Sequence, residues 1–314
     1  MSRIPSLVAG VLAVLATCAV HAETVFPLGS RIGLTPPAGF TPSDSFRGFE
    51  EKLNGAAILM LELPPQAYSD IEKAMTTSAL KKQGVIVEKR ETLALKSGKA
   101  LLLLGRQDSD GKTMRKWILV GATPSVTALV TVLVPDAAKV SYPDAAIRAA
   151  LASVDARESV PVEEQMGLLP YRLDELAGLR AMRVELPNRV ILTSGPKDTQ
   201  DPAEQALLVI SAAPGGPEET LQRDNFARNL FGGYSGLKDV HILGTDLIRL
   251  AGQQTHQLMA EAKDAKTDAD VKLVQWVRFG NGAYLRFLGV AKSDAWSDAF
   301  PRFRAVRDGV GPRQ

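Results

Sequence analysis

The distribution of apolar positions divides the chain into two similar series. In the first, GSRIGLTPPAGF (29–40) opens with a short strand that Pro36-Pro37 and Gly39 stop. SFRGFEEKL follows, and then AAILMLELPP, which is apolar throughout and ends at Pro64-Pro65. That pattern predicts a central strand buried on both faces. Ser69 begins S-D-I-E, a capping box with Glu72 at its third position. Ile71, Met75 and Leu80 continue at near-helical spacing, and Gly84 closes the helix. VIVEKRE, KALLLLGR, RKWILV and TALVTVLV read as four strands, the last three joined by hairpin turns at 109–111 and 122–125. Ser141-Tyr-Pro-Asp144 starts a closing helix with Ile147, Leu151 and Val154 along one stripe.

The second series repeats this order. LRAMRVELPNRVIL replaces the opening strand, and QALLVISAAP (205–214) is again an apolar strand ended by Pro. A helix begins at Pro217-Glu-Glu, places Phe226 and Leu230 four apart, and stops at Gly232-Gly233. VHILGTDLIRL, THQLMAEA, VKLVQWVRFG and AYLRFLGVA are the strands. A last helix starts near Ser293 and is expected to break or kink around Pro301. Trp117 and Trp276 stand 159 residues apart, and each is followed four positions later by Gly. Pro64 and Pro214, and Gly98 and Gly252, are offset by 150 and 154, the drift that loop insertions produce. We read a tandem duplication. The expected organisation is 1–22, 23–154 as the first α+β domain, 155–167 as a polar linker carrying Pro161, and 168–314 as the second α+β domain. Each domain is expected to be an antiparallel sheet flanked by helices, an α/β/α sandwich.

The residues that carry this order also resemble a known family. IGLTPPAGF, FRGFEE, ILMLELPP and KWILVG, with a long helix after the Pro-ended strand, resemble the PsbP-like family. That family includes the extrinsic photosystem II subunit, exported bacterial relatives and a nuclear-import factor that binds the GTPase Ran. The resemblance covers each half and is stronger in the first. The second half departs from it at its opening strand and its last helix. It implies a sheet between helices and a protein that binds larger assemblies. No catalytic motif marks the family, so the resemblance transfers no functional residues.

The N-terminus changes the picture of where such a protein works. Arg3, an apolar run from Ser6 to Val20, and Val20-His21-Ala22 form a secretory signal with cleavage expected after Ala22. The run is shorter than the roughly 20 residues a spanning helix needs, which ranks a retained anchor lower. Thr17 before Cys18 ranks a lipoprotein lower too. Removing 22 of the 314 residues leaves 292 and takes away Cys18, so neither core can use a disulfide. Loss of Arg3 from 37 basic residues leaves 36 against 35 acidic ones. That balance argues against nucleic acid, which demands a concentrated basic surface. A periplasmic location is expected, with no membrane span in the mature chain.

Candidate chemistry is sparse. The mature chain keeps only His241 and His256, both on expected strands and both in the second half. A mechanism shared by the repeats therefore cannot rest on histidine. DSDG (108–111) opens like a calcium loop, but its twelfth position is Leu119 rather than Glu. That turn, and the one with Asp264, Asp268 and Asp270, read as solvated hairpin tips. Lys96-Ser-Gly-Lys lacks the other residues of a phosphate loop. We expect no catalytic, cofactor or metal site. Trp276 shares its strand face with Arg278, and the two are the candidate edge of a partner groove between the repeats. The function expected is a non-enzymatic accessory protein docking on an unidentified envelope protein. The alternatives are a small-ligand carrier using the cleft between the two repeats and, ranked third, a hydrolase.

Overall fold

The structure, a computed structural model, describes residues 23–96, 98–109, 111–232, 236–250, 252–280 and 282–313. The expected signal segment and Ala22 lie outside the described residues. The chain forms two compact units. One comprises Ile32–Arg157 with the N-terminal segment through Pro27; the other comprises Glu158–Gln314 together with Leu28–Arg31.

The first unit contains β1 (Ile32–Gly33), β2 (Thr41–Pro42), β3 (Gly48–Glu51), β4 (Ala56–Leu63), α1 (Tyr68–Ala74), α2 (Thr77–Lys82), β5 (Val85–Leu95), β6 (Gly98–Ser109), β7 (Lys112–Ala122), β8 (Thr127–Pro135), α3 (Asp144–Ala152) and β9 (Asp155–Ala156). Seven strands make an antiparallel sheet in the order β2-β3-β4-β8-β7-β6-β5. The period of two in β7 sends Trp117 and Leu119 to one face and Ile118 and Val120 to the other. The first pair packs with Ile147 and Leu151 of α3. The second pair packs with Leu80 of α2 and Ile71 of α1. Helices thus cover both faces.

Three expectations change in this unit. β4 is not buried on both sides: Ile58 and Met60 are buried, but Leu59 and Leu61 are 39% and 51% exposed. The cluster under α1 and α2 draws on β5, β6, β7 and β8 and leaves the outer face of β4 bare. The expected helix from Ser69 to Gly84 is two helices, because Thr76 is extended (φ −82°, ψ 153°) and accepts a hydrogen bond from Ala79 N as a second N-cap. The residue before α1 is Ala67, with no side-chain cap, so the Ser69 box is not used. The polar stretch 155–167 contributes β9, which pairs antiparallel with β1, and the helix α4 (Val162–Met166) of the second unit.

The second unit continues with β10 (Tyr171–Leu173), β11 (Arg180–Glu185), β12 (Arg189–Thr193), β13 (Leu207–Pro214), α5 (Thr220–Gly232), β14 (Leu237–Leu250), β15 (Gln253–Asp264), β16 (Asp270–Gly280), β17 (Ala283–Lys292), α6 (Trp296–Asp308) and β18 (Val310–Pro312). Its antiparallel sheet runs β11-β12-β13-β17-β16-β15-β14. This order matches the first sheet strand for strand, and Trp117 and Trp276 both lie on the fifth strand. The protein is two tandem α+β domains, each an antiparallel sheet flanked by helices. The stretch 179–192 forms two strands rather than one, turning at Leu186–Asn188. α6 runs through Pro301 without ending there, anchored by the buried Ala299, Phe303 and Val306.

Candidate functional site

Trp276 and Arg278 project from β16 toward α6, on the face where Val274, Phe287 and Phe303 form the core. The indole of Trp276 is fully buried. Its Nε1 donates to Gln257 Oε1 at 2.8 Å, and its ring stacks on Phe300 with centroids 6.1 Å apart. Trp276 therefore belongs to the core of its own unit. The guanidinium over its ring belongs to Arg307 of α6, at 4.6 Å, and Arg278 lies instead over Phe287 at 5.7 Å. Spacing along β16 could not reveal this, since the stacking cation comes from a helix 31 positions later in the chain.

Arg278 is half-buried, and it lines a small cavity at the end of the sheet with Tyr171, Gln253 and Tyr284. Burial pushes its guanidinium below the ordinary value, and the neighbouring Arg307 adds to that. His256 is buried at the core edge on the opposite face. Its ring meets Phe279 edge-on at 5.7 Å, Nδ1 lies 3.9 Å from Asp224 Oδ1, and Nε2 has no partner. Burial lowers its pKa more than Asp224 raises it. His241 is exposed on β14.

A larger basin of about 710 Å³ opens on the sheet face beside α5, with Arg189, Asp201, Ser211, Asp264, Lys266 and Arg286 in its lining. Its polar groups are largely committed to the fold. Arg286 donates to Gln275 Oε1 and Leu230 O, both at 2.8 Å, and Arg189 pairs with Glu185. Asp264 is no solvated tip. Its carboxylate is 4% exposed and accepts from Lys266 N, Thr267 N and Thr267 Oγ1. Burial pushes that carboxyl up, and the hydrogen bonds outweigh it, leaving the group below its usual range. Among the described lining residues of the basin there is no histidine. Among the described residues no cluster of His, Cys, Asp or Glu could hold a metal ion. No described helix is long and apolar enough to cross a membrane.

The sheet edges differ more sharply than the cavities. β2 is two residues long and contains Pro42, so it offers almost nothing to pair with. β11 presents Arg180, Arg183 and Glu185. β5 carries Glu88, Lys89, Arg90 and Glu91, and its charges are tied down. Arg148 of α3 binds Glu91, Arg106 pairs with Glu88, and Arg90 donates to the carbonyls of Met75 and Glu72. These are the devices by which sheets avoid unwanted pairing. β14 carries charges too, Lys238, Asp239, Asp246 and Arg249, but differs in the apolar side chains it exposes. It runs 14 residues along the edge, and Val240, Ile242, Leu243 and Leu247 are 40–52% exposed on it. Register shifts between Lys238 and His241 and between Ile242 and Gly244 twist its first half, while Gly244 to Leu250 pairs with β15 without interruption. The outer N–H and C=O groups of that run face away from the sheet. Nothing in the apolar pattern of β14 distinguishes it from the neighbouring strands, and its place at the end of the sheet follows only from the pairing.

No family model matches the sequence, and no curated protein matches it. Several solved structures are similar to the chain. LpqN of Mycobacterium tuberculosis, involved in cell envelope biogenesis, is 14% identical over 46% of this chain and 83% of its own, with a TM-score of 0.36. The cyanobacterial PsbP of Synechocystis is 13% identical over 46% of this chain and 87% of its own, with a TM-score of 0.33. The type VI secretion immunity protein TplEi of Pseudomonas aeruginosa is 12% identical over 92% of this chain and 98% of its own, with a TM-score of 0.30. At these identities and scores, none of those roles is read onto this chain.

Proposed function

We propose that this is an exported binding protein that docks on a protein of the cell envelope by taking an extended segment of that partner alongside β14. The observation that carries the reading is the contrast among the sheet edges. Two are short, β5 carries a run of four charged residues, and β14 is the longest and exposes four large apolar side chains, Val240, Ile242, Leu243 and Leu247, between its charges. An edge of that kind is a template for strand addition, in which main-chain hydrogen bonds supply affinity and alternate side chains supply selectivity. Export and a periplasmic location rest on the signal pattern ending at Ala22. The reading needs neither catalysis nor a cofactor.

The test is capture of the C-terminally tagged chain after crosslinking in intact cells, compared with a Leu243→Lys/Leu247→Lys variant. We expect one envelope protein in near-equal amount with the original chain and at least a tenfold loss with the variant, since inserted charge on an edge opposes pairing. Equal recovery of the same partner with both chains would exclude β14 as the docking edge. Recovery of a type VI secretion component instead would place the protein in the setting of TplEi.

A further inference from the structure

The surroundings of Arg278 do not satisfy it. A guanidinium carries five N–H donors. Here Nη1 reaches Val310 O at 3.4 Å and Nη2 reaches Arg307 O at 3.3 Å, both long, and Nε is buried with no acceptor. No carboxylate pairs with it. The nearby Asp308 is already held by Arg307, whose Nε donates to its Oδ1 at 2.8 Å and whose Nη2 lies 2.8 Å from the same oxygen. Arg307 is itself 3% exposed. Arg278 is thus half-buried beside a second guanidinium, with the one nearby carboxylate taken by Arg307 and its own Nε left without an acceptor. Thr255 stands opposite Arg278 in the β15–β16 register, so both side chains leave the same face. Its hydroxyl is fully buried and also lacks a partner.

Arg278 is a wall of a cavity of about 310 Å³, and the remaining walls are chiefly apolar and aromatic, with Tyr171, Phe279, Tyr284 and Leu285 among them. Among the described lining residues, Gln253 and the hydroxyls of Tyr171 and Tyr284 add polar groups to that of Arg278. The volume is at the small end of ligand pockets and suits a single amino-acid-sized group. A carboxylate matches a guanidinium with two parallel hydrogen bonds. A phosphate monoester brings more charge than one available guanidinium balances, and apolar walls would oppose it.

We propose that this cavity binds a carboxylate carried on a compact apolar or aromatic body, with Arg278 receiving the carboxylate. Such a group exists both as a free aromatic acid and as the C-terminus of a peptide ending in an aromatic residue. Calorimetric titration of the purified chain distinguishes them with four probes: N-acetylphenylalanine, acetyl-Ala-Ala-Ala-Phe with a free carboxylate, and the C-terminal amide of each. Both acids bind saturably, each amide binds at least tenfold more weakly, and Arg278→Gln weakens the acids by at least tenfold. Arg278→Lys keeps the charge without the fork and falls between, with an unchanged circular dichroism spectrum showing that it is folded. Tighter binding of the tetrapeptide assigns the site to chain termini, and equal binding assigns it to free acids. The proposal is overturned if neither acid binds below about 5 mM, if acids and amides bind alike, or if both Arg278 variants bind acids like the original chain.

Discussion

Trp117 and Trp276 each lie under a guanidinium 4.6 Å from the ring, yet the cation comes from different places. Arg115 stands two residues before Trp117 on the same strand, whereas Arg307 reaches Trp276 from α6. Both indoles donate at 2.8 Å to a side-chain oxygen, Asp144 in one unit and Gln257 in the other. The position is the same, and the partners were found separately in each half.

The two stacks should differ in strength. Arg307 is desolvated and Arg115 is only half-buried, and a cation over an aromatic face is worth about 2 kcal/mol when dry and less than about 1 when wet. Urea unfolding should therefore show a loss of about 2 kcal/mol or more for Arg307→Met and under about 1 kcal/mol for Arg115→Met. Equal losses would mean that burial of the cation is not what sets the contribution.

Asp144 joins Trp117 to α3, since its second oxygen also accepts from Arg148. Asp144→Ala leaves the indole N–H without an acceptor and should cost about 1–3 kcal/mol. Burial pushes the Asp144 carboxyl up, but hydrogen bonds from Trp117 and Arg148 hold it below its ordinary 3.8. A carboxyl depressed in the folded state stabilises fully above 3.8, and that stabilisation fades as pH falls through the folded value. The variant should lose part of the acid dependence below about pH 4, measured by denaturation at a series of pH values.

His256 predicts a different window. Its folded pKa is depressed below 6.5 by burial, so the unfolded chain takes up the proton first as the medium acidifies. Stability should hold above pH 6.5 and decline as pH falls from there toward the folded value. His256→Gln should flatten that decline below pH 6.5. A variant with the same slope as the original chain would assign the decline to another group.

Gly289 fixes how closely α6 approaches the sheet. A Cβ there would fall 2.5 Å from Cδ2 of Phe303, a ring with no exposed surface and little room to move. Gly289→Ala should cost about 1–3 kcal/mol through overpacking. A smaller Phe303→Leu side chain introduced with it should recover part of that loss, and simple additivity of the two changes would argue against the contact.

The central strands were legible in the sequence because they carry alternation or continuous apolar runs, the signals that burial writes into a chain. The Trp117 and Trp276 strands fall where the spacing placed them. What escaped depends on contacts between distant positions. β1 and β10 are two and three residues long, too short for any period, and exist because β9 and β18 pair with them. Leu59 and Leu61 look like core in sequence, and only the reach of α1 and α2 leaves them in solvent. Asp264 and Asp268 read alike as turn acids, but one is buried under the turn it organises and the other pairs with Lys238 at the surface. Spacing offers Trp276 only its strand neighbour Arg278, while the residues that enclose it, Gln257, Phe300 and Arg307, come from elsewhere in the chain.

The pairing of β1 with β9, and of β10 with β18, brings the start of each fold against its finish: Ile32 faces Ala156, and Tyr171 faces Pro312. Each half is a closed circuit of chain whose entry and exit share one doorway. A fold with that property can be reopened elsewhere, for example within an exposed turn, and its old ends joined, because the join spans almost no distance.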